Sequence, residues 1–369
     1  AIWYQDVNFT ATSQRTNRKI LEEGVDAAYL QTQAKVGRFT VLGGVRGEYV
    51  TTDTFTYFRS RSTPIAVEPD HFKRAALDFA KQSTDGKYRK YFPSIHLSYD
   101  LTADLKARTS WSTSYARPTL GNLVPSVTAN DTAQTVTIGD PSIRPQMAKN
   151  VDIKLEYYFK HSGIFAVTVY RKNIKDYIGG ALNSGETVAA TPDNGFDGLY
   201  GGYTIYRPRN LGSARVDGFE AEYKQRMAFL PGFFKGLTVR ANYTYLKTQG
   251  IFGGATEIKG RQLANFVPRA FNAGLQYNYR NFGASFDLNQ TGEYPIAVSL
   301  TSPGLNAFRR KLTTMNAGIS YRVRPDATLF LNANNLTEAA PEHFLYLPNR
   351  PRQLLISPMS LKFGVTGQF

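Results

Sequence analysis

The sequence predicts an all-β fold, and within that class a transmembrane antiparallel β-barrel. Three observations carry that expectation. From residue 25 to the end, apolar and polar residues alternate with a period of two, the pattern of strands with one dry and one wet face. The connections between these segments alternate short and long, as in outer-membrane barrels, which have short turns at one rim and longer loops at the other. Nowhere does an apolar run reach the roughly 18 residues of a spanning helix, so a bilayer would have to be crossed by paired strands. A soluble propeller or β-helix is the structural rival, but no fixed repeat of about 40–50 residues supports it.

Thirteen strands are expected in order, at 25–37, 38–52, 87–102, 104–118, 147–162, 163–180, 212–228, 236–248, 267–281, 282–294, 310–324, 326–337 and 355–369. In "LTVRANYTYL", Leu237, Val239, Ala241, Tyr243 and Tyr245 oppose Thr238, Arg240, Asn242 and Thr244. "FNAGLQYNY" and "MNAGISYRV" repeat the pattern. Short turns ("KVGRF", "LTADL", "KHSGI", "RNFGA", "VRPDA" and the slightly longer "AFLPGFFKG") follow every second strand. The long connections, near 53–86, 119–146, 183–210, 249–265, 295–309 and 338–354, should all open on the opposite rim. Residues 1–369 read as one unit, with 1–24 an extracellular loop or the end of a preceding strand.

The last strand, "SPMSLKFGVTGQF", sets Leu361, Phe363, Val365 and Phe369 against Lys362, Thr366 and Gln368. It enters from a long loop and the first strand leaves into a short turn, so both run toward the short-turn rim. That parity makes the count odd, whereas complete bacterial single-chain barrels have an even count. Either residues 1–20 hold one more strand or the chain is the C-terminal portion of a larger barrel.

Composition agrees with this architecture. The chain has 23 Tyr and 24 Phe, suited to pleated surfaces, and no Cys, which excludes disulfides, thiol nucleophiles and Cys-based metal sites. Its net charge of +15 raises the nucleic-acid class, yet the basic residues are spread through the alternating segments instead of forming a patch. No nucleic-acid partner is expected. His71, His96, His161 and His343 lack metal-ligand spacing, and no Gly-x-Ser-x-Gly elbow or phosphate-binding loop occurs. No enzyme activity and no metal or other cofactor is expected, although an outer-membrane protease or phospholipase would also scatter its site residues over a barrel.

Several stretches resemble the C-terminal half of TonB-dependent outer-membrane receptors: "SYARPTLGNLVPS", "GDPSIRPQMAKNVDIKLEYYF", "RVDGFEAEYKQ" with its Gly-Phe-Glu, and "TLFLNANNLTEA". The terminal Phe369 resembles the signal read by the barrel-assembly machinery. "SIRPQ" departs from the usual Leu-Lys-Pro-Glu, and Gly367 stands where the terminal signature has a larger apolar residue. The style of "FVPRAFNAGLQYNYRNFGASF" is closest to a Caulobacter- and Xanthomonas-like branch associated with carbohydrate uptake.

The resemblance implies an active transporter of the bacterial cell outer membrane, taking up a nutrient such as a carbohydrate or siderophore. It implies about thirteen strands of a 22-stranded barrel, with the plug domain absent from this chain. Partners would be the plug and the TonB complex in the intact protein, outer-membrane lipid and lipopolysaccharide, the assembly machinery, and a small-molecule or oligosaccharide substrate. A passive porin remains open, since 369 residues also suit a complete 16-stranded barrel, as does a scaffold or binding barrel. The resemblance makes Asp152 and Glu220 wall acids that contact plug arginines; on the residues alone they could equally pair with wall Lys and Arg. In the long loop 183–210, Tyr200, Tyr203, Tyr206 and Arg207 are the ligand-binding candidates, with simple loop packing as the alternative reading.

Overall fold

A computed structural model of the chain describes residues 4–59, 62–160, 162–196, 198–252, 258–299 and 302–367. Thirteen strands follow one another in an unbroken antiparallel path: β1 (Ile20–Val36), β2 (Phe39–Arg59), β3 (Phe79–Asp100), β4 (Leu105–Ala116), β5 (Gln146–Phe159), β6 (Gly163–Lys175), β7 (Gly212–Arg226), β8 (Leu237–Phe252), β9 (Arg269–Tyr279), β10 (Phe282–Thr291), β11 (Leu312–Arg324), β12 (Ala327–Asn334) and β13 (Ser360–Gly367). The short strand Ile258–Arg261 pairs with β8 off this path. Each expected strand is therefore present. Strict antiparallel neighbours force the short turns onto one rim and the long connections onto the other.

The path is open: among the described residues β1 and β13 are its two edges and do not pair with each other. The structure shows a large antiparallel sheet, not a closed cylinder. Its faces are those the alternation predicts. On β5, Ile153 is 56% exposed and Leu155 46%, while Glu156 between Leu155 and Tyr157 is 5%. An apolar row turned outward and a polar row packed inward is the arrangement of a wall between lipid and a wet interior.

The bounds of one long connection need correction. The 53–86 loop is shorter than expected, because β2 continues to Arg59 and β3 begins at Phe79. The Thr/aromatic alternation of "TDTFTYFR" sustains the pairing, with Thr54 and Thr56 buried. What remains of that loop carries helix α2 (His71–Asp78), capped by Asp70, whose carboxylate accepts from the Phe72 and Lys73 amides at 2.9 Å. The long loops carry short strands of their own. Strands Val127–Asn130, Thr135–Ile138, Thr204–Asn210 and Ile178–Thr187 form one four-stranded sheet around buried Val136, Val188 and Ile205. A second, from Tyr294–Ala297, Ala307–Arg309, Glu342–Leu345 and Pro351–Leu354, closes on Phe344.

Residues Val7–Thr16 form helix α1, started by Asp6, whose side chain accepts from the Phe9 amide at 2.8 Å. Ala11 of α1 packs with Ala75 of α2 and with Phe79, so the two helices form a small apolar cluster beside the β2–β3 hairpin. Phe369 and His161 lie outside the described residues.

Candidate functional site

The inward row of β5, β6 and β7 builds the first part of the site. Asp152 on β5 is the register partner of Tyr170 on β6, and Tyr170 is the partner of Gly218 on β7. The ring lies flat over the glycine: a Cβ at position 218 would stand 2.1 Å from Tyr170 Cζ. No other residue admits that contact. From this position the Tyr170 hydroxyl donates to Glu220 Oε1 at 3.3 Å. The Gly-Phe-Glu stretch thus divides its labour: Gly218 receives the ring, Phe219 faces outward, and Glu220 accepts the phenol.

The structure brings Asp152 and Glu220 to opposite sides of one aromatic ring. Neither acid forms an ion pair with a wall cation among the described residues. Ser110 Oγ donates to Asp152 Oδ2 at 3.3 Å, and Lys172 lies 5.3 Å over the Tyr170 ring. Both carboxylates therefore keep most of their acceptor capacity for something beyond the wall. Asp152 also lines a cavity of about 490 Å³ with His96, Ser98, Arg108, Ser110 and Lys154, which makes His96 part of a wet groove wall.

The second part lies among the long loops. A cavity of about 670 Å³ is bounded by Thr12 of α1, Tyr57 and Arg59 at the end of β2, and Phe196, Tyr200 and Arg207 of the loop sheet. Asn194 sets that loop's shape. Its amide nitrogen donates to the Ala189 and Leu199 carbonyls at 2.9 Å, and its oxygen accepts from the Phe196 and Gly198 amides at 2.9 and 3.0 Å. Held this way, Tyr200 takes φ +61°, an uncommon conformation for a bulky residue. Its ring meets Phe196 edge-on at 5.9 Å and Tyr203 at 5.6 Å.

Of the four loop candidates, Tyr200 and Arg207 line this cavity. Tyr203 stands behind Tyr200 and donates to Asp131 Oδ1 at 3.3 Å. Tyr206 lies within the loop sheet, opposite Thr137, and does not line the cavity. Arg207 has no ion-pair partner among the described residues. Sequence reading missed Tyr170, Gly218, Asn194, Tyr57, Arg59 and Phe196. Two of them had a visible signal: Tyr170 as an aromatic ring on the polar row of β6, and Gly218 as part of the Gly-Phe-Glu stretch.

No group of His, Asp and Glu that could hold a metal ion occurs among the described residues. A sheet apolar outside, charged inside and roofed by structured loops on one rim defines a wall of a bacterial outer-membrane barrel. The chain belongs to the TonB-dependent receptor family: the family model "TonB dependent receptor-like, beta-barrel" matches residues 2–336.

Solved structures with the same fold include the FrpB iron transporter from Neisseria meningitidis, with 14% identity, a TM-score of 0.60, and coverage of 98% of this chain and 48% of that one. The copper transporter OprC matches with 14% identity, a TM-score of 0.61, and 95% and 48% coverage. The ferric yersiniabactin uptake receptor FyuA from Yersinia pestis matches with 13% identity, a TM-score of 0.62, and 95% and 46% coverage. The chain thus spans less than half the length of these three proteins. No curated protein sequence matches it.

Proposed function

We propose that this chain is part of the wall of an active outer-membrane transporter that takes up a small solute by TonB-dependent force. In this reading further strands close the sheet into a barrel of 22, a plug domain fills the lumen, and the plug's arginines bind Asp152 and Glu220. The observation that carries it is the state of those two acids. Glu156, on the same row, is saturated by cations, whereas Asp152 and Glu220 hold only hydroxyl partners around Tyr170. Charge-assisted bonds to an inserted arginine would hold in a wet lumen and still release under load.

The vestibule lined by Tyr57, Phe196, Tyr200 and two arginines suits an anionic ligand with flat rings, as in a ferric siderophore. The iron and ferric yersiniabactin cargo named for FrpB and FyuA supports this class, and a carbohydrate stacking on the same rings is the second reading. Phe369 as the address for the barrel-assembly machinery belongs to the same proposal, and catalysis has no part in it.

The test uses the full-length protein in cells. Uptake should require TonB and the proton-motive force, and the Asp152→Ala, Glu220→Ala double variant should raise passive leak of small solutes. A porin would conduct without energy and ignore that pair. Uptake undiminished in cells lacking TonB overturns the reading.

A further inference from the structure

The second loop sheet carries a polar row on its open face. Tyr294, Arg309, His343 and Gln353 are register partners across its four strands, Tyr294–Ala297, Ala307–Arg309, Glu342–Leu345 and Pro351–Leu354. Direct partners in an antiparallel pair project to the same side, so the four side chains stand in line. The other face is the dry one. Pro295 and Phe344 are buried there, and the Phe308 and Phe344 rings stack at 5.4 Å. That packed underside makes the sheet a platform for the row.

Arg309 is the unmatched member. Its Nη1 donates to the Tyr294 hydroxyl at 3.2 Å, which orients the guanidinium. Its Nε is buried, and among the described residues neither Nε nor Nη2 has a hydrogen-bond acceptor and no acid pairs with the side chain. Arg310, next in the chain and 5.4 Å over the Phe344 ring, is the contrast, because Glu342 answers it at 2.9 Å. A buried N–H without an acceptor costs free energy, and the Nε–Nη2 edge is one that receives a carboxylate through two parallel bonds. Beside it, His343 is set by Gln353. Gln353 Oε1 can only accept, and it lies 3.3 Å from His343 Nδ1, so Nδ1 carries the proton. In the neutral ring Nε2 is then a free acceptor.

We infer that Arg309 and His343 form a binding site for a small hydroxycarboxylate. The carboxylate takes the Nε–Nη2 edge of Arg309, and the hydroxyl donates to His343 Nε2. Directly opposed side chains start about 5 Å apart, so one compact molecule reaches both. The site lies on a different loop sheet from the vestibule and shares no residue with it. It stands whether or not the whole protein transports by TonB-dependent force.

The experiment titrates purified full-length protein in detergent with malate, succinate and inorganic phosphate, read by calorimetry. The parent protein carries Arg207→Gln, which removes a vestibule cation from the measurement. Malate should bind best, exceeding succinate, which lacks the hydroxyl, by about fivefold, the share of one neutral hydrogen bond. Adding Arg309→Gln should cost both dicarboxylates about tenfold, as expected of bonds to a charged group. Adding His343→Phe should erase the advantage of malate and leave succinate unchanged, a split that a merely structural role would not produce. Lys235→Gln, which removes one charge at the opposite rim, should bind normally. Folding is checked by migration of the unheated protein in detergent gels. If Arg309→Gln misfolds, Arg309→Lys keeps the charge, loses the fork and should show the same loss. No malate binding, malate and succinate bound alike by the parent, phosphate bound as tightly as malate, or undiminished binding after Arg309→Gln each overturn the site.

Discussion

Asp152 and Glu156 share a strand, a face and a spacing of four residues, yet their surroundings are opposite. Glu156 accepts from Arg108 and Lys154 at 2.9 Å and from the Tyr158 hydroxyl at 2.8 Å, with 7% of its side chain exposed. Asp152 accepts one serine hydroxyl at 3.3 Å and faces a groove. Glu48 and Asp287 follow Glu156, being tied to Arg46 and Arg240 respectively. Wall acids therefore divide into those that hold neighbouring strands together and those left with capacity to bind. Burial with complete pairing is the mark of the first kind, and an unmatched acid beside an aromatic ring marks the second.

That contrast can be broken in four ways, taken from the largest expected loss to the smallest. Glu156→Ala leaves Arg108 and Lys154 side by side without their acid. It should destabilise the wall by about 2–3 kcal/mol, less than a fully buried pair because Arg108 stays half exposed. Urea unfolding in lipid vesicles measures it, and a loss no larger than that of Asp152→Ala would erase the distinction.

Gly218→Ala should come next. The new methyl collides with the Tyr170 ring, and overpacking of this kind costs about 1–3 kcal/mol, toward the low end here because the ring can swing into the lumen. The more telling readout is leak: moving Tyr170 should reproduce the double-acid phenotype in the full-length protein without touching either carboxylate.

The Asp152→Ala, Glu220→Ala variant should change wall stability by less than about 1 kcal/mol, since no wall ion pair is lost. Thermal unfolding of the wall that falls by several degrees would show that the two acids are structural after all.

The smallest effect concerns the loop rim. Hydrogen bonds from the Lys73 and Phe72 amides hold the Asp70 carboxyl below its ordinary value. Because the folded value is depressed, the cap's contribution is complete at neutral pH and is lost as pH falls through that value. Amide exchange at the start of α2 should lose protection on acidification, and Asp70→Asn, which retains a capping oxygen, should abolish the pH dependence.

The strands were legible because alternation is local: each wall segment displays its two faces in its own residues. The loop sheets were not. Thr204–Asn210 pairs in parallel with Thr135–Ile138, far back in the chain, and four-residue strands are too short to display a period. Asp152 and Glu220 could be placed on the wet face by counting, but the difference between Asp152 and Glu156 could not, since it depends on which residues of β4 and β6 stand opposite. Gly218 was visible only as part of a motif; its reason is Tyr170, and only the β6–β7 register reveals that.

The position of β6 has a mechanical consequence. Its register partners run from Met147 to Phe159 on one side and from Ser213 to Gln225 on the other. A pull on Asp152 and Glu220 toward either rim runs along the strand axes, across ladder bonds that lie perpendicular to them. Bonds loaded in that direction share the strain in parallel and yield together, whereas bonds peeled from an end yield singly. The grip on two carboxylates is therefore the weak link in series with a stiff anchor, so a tug sufficient to free whatever holds them leaves the three strands in register.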